Sequence, residues 1–230
     1  MRRHLLAVVL IAVCGSSSAF AKPAVYSWNG FYIGAHAGAI WGDVNVTDDV
    51  NDGVPPGPFG YSISGFIGGG TAGYNLQIDN VVFGIEGDLG VIDPDGSGII
   101  PSSTPPFHQD TTLDTGLYGD ITGRLGLTFG PALVYAKGGF AFFDGEARQT
   151  TTKPGFVTHG TDTFTGWTLG GGVEYLIARD VSVKVEYQHF DFGSQVGNQT
   201  SITDPPIGYV YHNWTDLTFE SVKAGVAYHF

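Results

Sequence analysis

The sequence predicts an all-β protein whose strands form one closed antiparallel barrel. Segments with alternating apolar and polar residues recur eight times after residue 29, short turns alternate with long connections, and the last segment ends the chain. In residues 221–230 one face carries only apolar residues, namely Val222, Ala224, Val226, Tyr228 and Phe230. A final strand leaves an open edge unless it pairs with the first strand, and that pairing closes a barrel.

Each predicted strand has one apolar face and one face of polar or small residues, as period-two alternation requires. The predicted strands are residues 30–41, 64–78, 80–92, 115–129, 132–143, 164–177 and 180–190, and a closing strand that ends at 230 and begins between 214 and 221. Each is long enough to cross a membrane, which takes about 9–11 tilted residues.

The connections between the predicted strands alternate in length. Tight turns are predicted at 79–80, 130–131 and 178–180. Long loops are predicted at 42–63, 93–114, 144–163 and 191–213, and three of them contain a Pro-Pro pair. Unstructured loops of that length are uncommon in compact soluble domains. Short turns at one rim and long loops at the other are typical of bacterial outer-membrane barrels, which places both termini on the periplasmic side.

The distribution of charge decides which face meets lipid. The apolar faces of the predicted strands contain no Asp, Glu, Lys or Arg. The opposite faces carry Glu86, Asp88, Asp120, Arg124, Lys137, Glu174, Lys184, Glu186 and Lys223. A Lys or Arg that faces lipid at mid-bilayer costs roughly 2–4 kcal/mol, whereas a water-soluble barrel would show the opposite segregation. The sequence therefore predicts an eight-stranded up-and-down transmembrane β-barrel with charged groups in its lumen.

The first 21 residues have the pattern of a secretory signal peptide. Arg2 and Arg3 precede an apolar stretch at 5–13, and the small-residue site Ala19-Phe20-Ala21 precedes Lys22. We predict that residues 1–21 are cleaved, that residues 22–29 form a short periplasmic segment, and that residues 30–230 form the barrel domain. The only cysteine, Cys14, would leave with the signal peptide, so the mature chain would have neither disulfides nor thiolate chemistry.

The net charge argues against nucleic acid as a partner. The formal charge is −12, and removal of two basic residues with the signal peptide makes it −14. Much of this acidity falls in the predicted loops, where it would form a solvated acidic surface or bind divalent cations that bridge to lipopolysaccharide phosphates.

Four motifs resemble those of the small porin-family outer-membrane β-barrel proteins, often called outer-membrane immunogenic proteins. They are SWNGFYIGAHAG at 27–38, GGGTAGYN at 68–75, EY at 186–187 followed by DFG at 191–193, and KAGVAYHF at 223–230. Each motif is weak alone, but four in the right order across the mature chain are specific.

The resemblance implies an eight-stranded outer-membrane barrel akin to the OmpA transmembrane domain. It implies outer-membrane lipid and lipopolysaccharide as surroundings. We also predict a monomer. The resemblance also implies that the ending with Tyr228 and Phe230 is a terminal signal read by the barrel-assembly machinery. The family does not imply one activity, and fold alone cannot supply one.

The inward charges are the first candidate site. Neighbouring strands suggest pairs of Glu86 or Asp88 with Arg124 or Asp120, of Lys137 with Glu174, and of Lys184 or Glu186 with Lys223. An eight-stranded lumen is only wide enough for side chains to fill it. Two interpretations remain open: a paired polar plug, or a narrow pore whose selectivity these charges set. No metal or cofactor is expected, since 48–53 lacks the spacing of a calcium loop.

Histidines supply the remaining candidates. His108, His159 and His212 in predicted loops could ligate haem iron. His189 shares an outward face with Thr218 and Glu220, as a lipid-modifying enzyme would require, but no nucleophile motif supports catalysis. We therefore predict a non-enzymatic integral outer-membrane protein with a role in envelope integrity and surface interaction. The alternatives are a small-solute porin and a loop-borne binder of haem or host surfaces.

Overall fold

The computed structural model describes residues 26–48, 58–101, 108–151, 158–200 and 210–230. The predicted signal peptide and residues 22–25 lie outside these ranges. The strands are β1 (Gly30–Asp48), β2 (Pro58–Ile78), β3 (Val81–Asp95), β4 (Ser97–Pro101), β5 (His108–Leu113), β6 (Gly116–Phe129), β7 (Ala132–Thr151), β8 (Thr158–Leu176), β9 (Val181–Thr200) and β10 (Val210–His229). In the described part of the chain, no helix is long and apolar enough to cross a bilayer.

The strands form one closed antiparallel sheet. Their order is β4-β5-β7-β6-β3-β2-β1-β10-β9-β8, and a further pairing of β7 with β8 completes the ring. β4 continues β3 after Gly96, and β5 leads into β6. Counted this way, the wall consists of eight long strands. β1 pairs with β10 from Tyr32–His229 to Asp48–Asn213. The predicted fold and its closure by the first and last strands are confirmed.

The two rims of the barrel differ. One rim, called the turn end here, carries Gly30, Phe230 and the short turns. Asp79 and Gly130 adopt positive φ angles of 54° and 63° in the first two of these turns, as tight reversals require. The third turn is held by bonds such as that from the His229 amide to the Asp180 carbonyl, at 2.8 Å. The opposite rim, with the long connections, is the loop end.

At the loop end the strands run further than the sequence indicated. β9 was predicted to end at 190 but ends at Thr200, ten residues later, and β1 ends at Asp48 rather than 41. β4 and β5 lie within the predicted 93–114 loop. The predicted boundaries at this end are therefore wrong. Pairing continues because these segments keep β-favouring Thr and Val residues, and because the ladder satisfies backbone N–H and C=O groups.

The outward face changes character near the loop end. Up to this level the outward side chains are apolar and exposed, including Phe31, Ile85, Ile121, Leu125, Phe140 and Val185. One pleat beyond Trp41, Val91, Leu117 and Trp167 they become Asp43, Asp93, Thr115 and Thr165. We call this change the boundary level. It marks where the wall stops being suited to hydrocarbon and becomes suited to water.

The inward face changes in the opposite sense. Below the boundary level, the barrel interior holds buried polar and charged side chains. Near and above it the interior holds a cluster that we call the apolar plug: Ile40, Val44, Ile63, Ile67, Ile92, Tyr118, Ala141, Phe143, Phe164, Phe190, Phe192, Leu217 and Phe219. A smaller apolar cluster, with Trp28, Val82, Leu133, Tyr135 and Leu176, lies toward the turn end. The interior is thus polar only in its middle section.

Candidate functional site

The candidate site is a set of charged side chains that meet inside the middle of the barrel. All nine predicted lumenal residues lie there, and each is at most 5% exposed. They come from β3, β6, β7, β8, β9 and β10, since inward positions on neighbouring strands converge on the same narrow lumen. We call these nine side chains the ion network: Glu86, Asp88, Asp120, Arg124, Lys137, Glu174, Lys184, Glu186 and Lys223.

Lys137 lies at the centre of the ion network. Its ammonium group contacts Glu86 Oε1 at 2.8 Å, Asp88 Oδ2 at 2.9 Å and Glu186 Oε1 at 3.0 Å. β3 and β9 are the second neighbours of β7 on the two sides of the ring, so these bonds reach past the adjacent strands β6 and β8. The expected pair of Lys137 with Glu174 is wrong. The expectation rested on adjacent strands only, whereas the long lysine stem reaches past the adjacent strand on each side.

Two further lysines complete this centre. Lys223 Nζ lies 3.2 Å from Asp88 Oδ2 and 3.1 Å from Glu186 Oε1, and it also donates to Gln188 Oε1 at 2.7 Å. Lys184 Nζ lies 3.1 Å from Glu86 Oε2 and 3.9 Å from Glu186 Oε2. Three ammonium groups therefore share three carboxylates, and each carboxylate contacts at least two of them.

Arg124 forms the second part of the network, nearer the turn end. Its guanidinium group forms an ion pair with Glu174 and lies 3.7 Å from Glu86 Oε2. Its Cζ atom lies 3.7 Å from the centre of the Tyr135 ring, a cation–π contact. Glu174 also accepts a hydrogen bond from Ser182 at 2.5 Å. Arg124 thereby joins β6 to β3, β7 and β8.

Asp120 lies apart from the ammonium groups. Its Oδ2 atom accepts a hydrogen bond from Gln188 Nε2 at 3.0 Å, and among the described residues no ion pair reaches it.

A chain of hydrogen bonds begins on the loop side of Asp88. Thr71 donates to the Asp88 carboxylate, and His36 bonds to both Thr71 and Tyr118. These contacts lead from the charged centre toward the apolar plug.

Three uncharged partners of the ion network were missed in the sequence. The Tyr32 hydroxyl donates to Glu86 Oε2 at 2.8 Å, and the Tyr135 hydroxyl donates to Glu186 Oε2 at 2.7 Å. Gln188 bridges Lys223 and Asp120. All three share the inward parity of their charged neighbours, so parity was the available signal. A side chain on Gly73 would meet the Tyr32 ring at 2.4 Å, so the glycine gives this tyrosine its room.

The network contains one arrangement that resembles a metal site. Oxygen atoms of Glu86, Asp88 and Glu186 lie within 4.8 Å of one another, as ligands of a cation would. The Lys137 ammonium group already contacts all three at 3.0 Å or less. The lysine side chains thus supply the positive charge that these three carboxylates require, which suits a permanently ion-paired network.

The apolar plug lies next to the ion network along the barrel axis. Tyr118, a member of the plug, links the two: its hydroxyl contacts His36, and its ring lies 6.3 Å from the ring of Phe190. Phe143 stacks on Phe164 at 6.4 Å and meets Phe219 edge-on at 5.6 Å. Tyr61, on the extension of β2, packs against the plug, and burial raises its pKa to about 12, so it is neutral. Buried side chains thus occupy the lumen at both levels.

The remaining candidates lie on the outside or beyond the described side chains. Tyr228 and Phe230 face outward at the turn end, with ring centres 5.1 Å apart. His189 faces outward beside Glu220, its Nδ1 atom 2.8 Å from Glu220 Oε1. The side chains of His108, His159 and His212, and the 48–53 acidic stretch apart from the Asp48 backbone, fall outside the described part of the molecule.

Comparison with known proteins finds a matching family and several similar proteins. Residues 6–230 match the family described as "Outer membrane protein beta-barrel domain". The 31 kDa outer-membrane immunogenic protein of Brucella melitensis is 30% identical over 96% of this chain and 91% of its own. The 22 kDa outer membrane protein of Rhizobium leguminosarum bv. viciae is 31% identical over 76% of this chain and 68% of its own. Neisserial surface protein A gives a TM-score of 0.45 at 15% identity, covering 88% of this chain and 98% of its own.

Proposed function

The chain belongs to the outer-membrane β-barrel family and therefore resides in the outer membrane, and we propose that it acts there as a closed, non-enzymatic, monomeric barrel. Its role would be to support envelope integrity while its acidic loops meet the surroundings. Outer-membrane lipid and lipopolysaccharide form its environment.

The observation that carries this proposal is the double closure of the lumen. The ion network crosses the barrel, and the apolar plug fills the section beyond it. A conducting path would have to pass both a ring of paired charges and a packed cluster of aromatic side chains. Buried charges of this kind are stable only when they are paired, so opening the first layer would leave charge without a partner. The arrangement favours a rigid wall element over a pore.

The channel alternative is tested by conductance in planar lipid bilayers. We expect the purified wild-type protein to give no stepwise currents. A double variant, Phe143→Gly with Phe219→Gly, removes two large rings from the plug while leaving the ion network intact. It should also remain closed, because the network still crosses the lumen. Regular current steps from the wild type, with an ion selectivity that changes in Glu86→Gln, would replace the proposal with a small-solute porin.

The envelope role is tested in cells. Deletion of the gene should increase sensitivity to detergents and to large lipophilic antibiotics, and expression of the wild-type chain should reverse this. The Lys137→Met variant, whose barrel is weakened at its centre, should reverse it only partly. A deletion strain with unchanged permeability would contradict a role in envelope integrity.

We also propose that the chain end acts as a signal for the barrel-assembly machinery. Tyr228 and Phe230 present two exposed rings at the turn end, where the closing strand pairs with β1. Phe230→Ala should slow insertion in cells, while the purified variant should refold into detergent micelles at the wild-type rate. Equal slowing in both settings would instead assign the residue to intrinsic stability.

A further inference from the structure

A carboxylate faces outward at the boundary level on β10. The side chain of Glu220 is 29% exposed, although the outward residues below it on the same strand are apolar. Its Oε1 atom lies 2.8 Å from His189 Nδ1, and its Oε2 atom accepts a hydrogen bond from the Tyr187 hydroxyl. Glu220 is therefore held by two neighbours on β9, and the same contacts leave it facing the outside of the wall.

Aromatic side chains lie on the strands near this carboxylate. Trp41 lies directly opposite Glu220 in the pairing of β1 with β10, and cross-strand neighbours on one face have Cβ atoms about 4.5–5.5 Å apart. The Trp167 ring lies 5.3 Å from the His189 ring. Trp41, Trp167 and Tyr187 are 43%, 49% and 47% exposed, so their faces are open.

These aromatic residues occupy one sector of the barrel. Among the side chains described, Trp41, Trp167 and Tyr187 are the only Trp or Tyr residues facing outward at the boundary level. On β3 and β6 the corresponding positions are Val91 and Leu117. An even aromatic girdle would anchor any barrel at the interface. Their concentration on β1, β8 and β9, close to Glu220, indicates something more selective.

The chemistry of this sector fits a cation. Open faces of Trp and Tyr attract ammonium groups through the ring quadrupole, and a carboxylate adds a full opposite charge. An isolated phosphate would be repelled by Glu220. Within the described part of the outer wall, no Lys or Arg faces outward at this level, since Arg124, Lys137, Lys184 and Lys223 all point into the lumen.

We propose that Glu220, Trp41, Trp167 and Tyr187 form a binding site for the ammonium group of an outer-leaflet lipid. The site lies at the depth of the lipid headgroups, because the outward side chains change there from apolar to polar. Glu220 supplies the charge, the two tryptophans and Tyr187 supply the aromatic faces, and His189 positions the carboxylate. The lipid would be held at one sector of the wall rather than all around it.

The test uses the whole folded protein in nanodiscs made from equal amounts of phosphatidylethanolamine, which carries an ammonium group, and phosphatidylglycerol, which does not. Native mass spectrometry then counts the lipids that stay bound after the protein is released from the nanodisc. The wild type should retain phosphatidylethanolamine preferentially. Glu220→Gln should reduce that preference about tenfold, as expected for the loss of one charged contact. Tyr187→Phe, which keeps the ring but loses the hydroxyl, should reduce it less.

Asp144 provides the matched control. It also faces outward just above the boundary level, accepts a hydrogen bond from Thr163 at 3.2 Å and lies opposite Leu117 rather than a tryptophan. Asp144→Asn should leave the preference unchanged. The proposal fails if the wild type shows no preference, if it prefers phosphatidylglycerol, or if both carboxylate variants lose the preference equally. If Glu220→Gln does not fold, Trp167→Leu serves in its place and should lower the preference several-fold.

Discussion

The wall below the boundary level and the wall above it are built from the same strands with opposite chemistry. On β7, Ala136 faces outward and Lys137 inward in the lower part. Seven residues further along, Phe143 faces inward and Asp144 outward. The alternation never breaks, yet the apolar side moves from the outside of the barrel to the inside.

This difference shows that the surroundings, and not the strand pattern, decide which face is apolar. In hydrocarbon the outer face has to be apolar, and the charges that remain inside must pair with one another. In water the same strand follows the rule of soluble barrels, with an apolar core and a polar surface. One continuous barrel is therefore stabilised by ion pairs in one section and by apolar packing in the next.

The largest effect is expected from the centre of the ion network. Lys137→Met leaves Glu86, Asp88 and Glu186 without the ammonium group that they share, and loss of one partner of a buried ion pair costs about 3–5 kcal/mol. Urea unfolding in lipid vesicles should show this loss of unfolding free energy. Lys184→Met, which removes one contact at 3.1 Å and one at 3.9 Å, should cost less. Equal and small costs for the two variants would mean that water, rather than lysine, satisfies the buried carboxylates of the lower section.

The apolar plug should respond to the loss of a ring by a different mechanism. Phe143 is fully buried, and Phe143→Ala should cost about 3–5 kcal/mol through lost burial and the cavity that remains. The same unfolding measurement checks it. Phe143→Leu, which keeps most of the volume, should recover a large share of the loss. A neutral Phe143→Ala would show that the upper section does not behave as a packed core.

A charge placed on the outer face should separate the two sections directly. Ile121 is 62% exposed on the lower wall, and Ile121→Arg should cost about 2–4 kcal/mol in a bilayer. Thr163, which is exposed on the upper wall, gives a matched position where Thr163→Arg should change stability by less than about 0.5 kcal/mol. Comparable costs at both sites would remove the distinction between lipid-facing and water-facing wall.

The smallest effect is expected from polar contacts on the upper outer wall. Ser62 donates to Asp43 Oδ1 at 2.9 Å, and both side chains are exposed. Ser62→Ala should therefore change the unfolding free energy by less than about 0.5 kcal/mol, because water replaces the lost bond. A cost above about 1 kcal/mol would indicate that this contact is shielded from water.

Much of the lower barrel could be predicted from the sequence. Period-two alternation placed Glu86, Lys137 and Lys223 inside, and the chain end identified the closing strand. The contacts among them could not be predicted in the same way. Lys137 reaches past its adjacent strands to Glu86 and Glu186, and such distances depend on barrel radius and strand stagger rather than on sequence spacing.

The upper barrel was predicted less well for a related reason. Residues such as Ile40, Phe190 and Phe219 keep the inward parity of the lower strands, but they are apolar where a polar lumen was expected. The prediction assumed that lipid surrounds the strand along its whole length. It therefore expected polar residues at every inward position, including these. The aromatic sector around Glu220 also depends on register, because Trp41 and Glu220 meet only through the pairing of the first and last strands.

The most direct test of the reversal compares two positions on one face of β7. The chain contains a single cysteine, Cys14, within the predicted signal peptide, so nitroxide labels can be placed on single-cysteine variants of the mature barrel at Phe140 and Asp144. In lipid vesicles, the label at position 140 should collide with dissolved oxygen and be shielded from a water-soluble nickel chelate. The label at position 144 should show the reverse. Equal access of the nickel chelate to both labels would contradict the account.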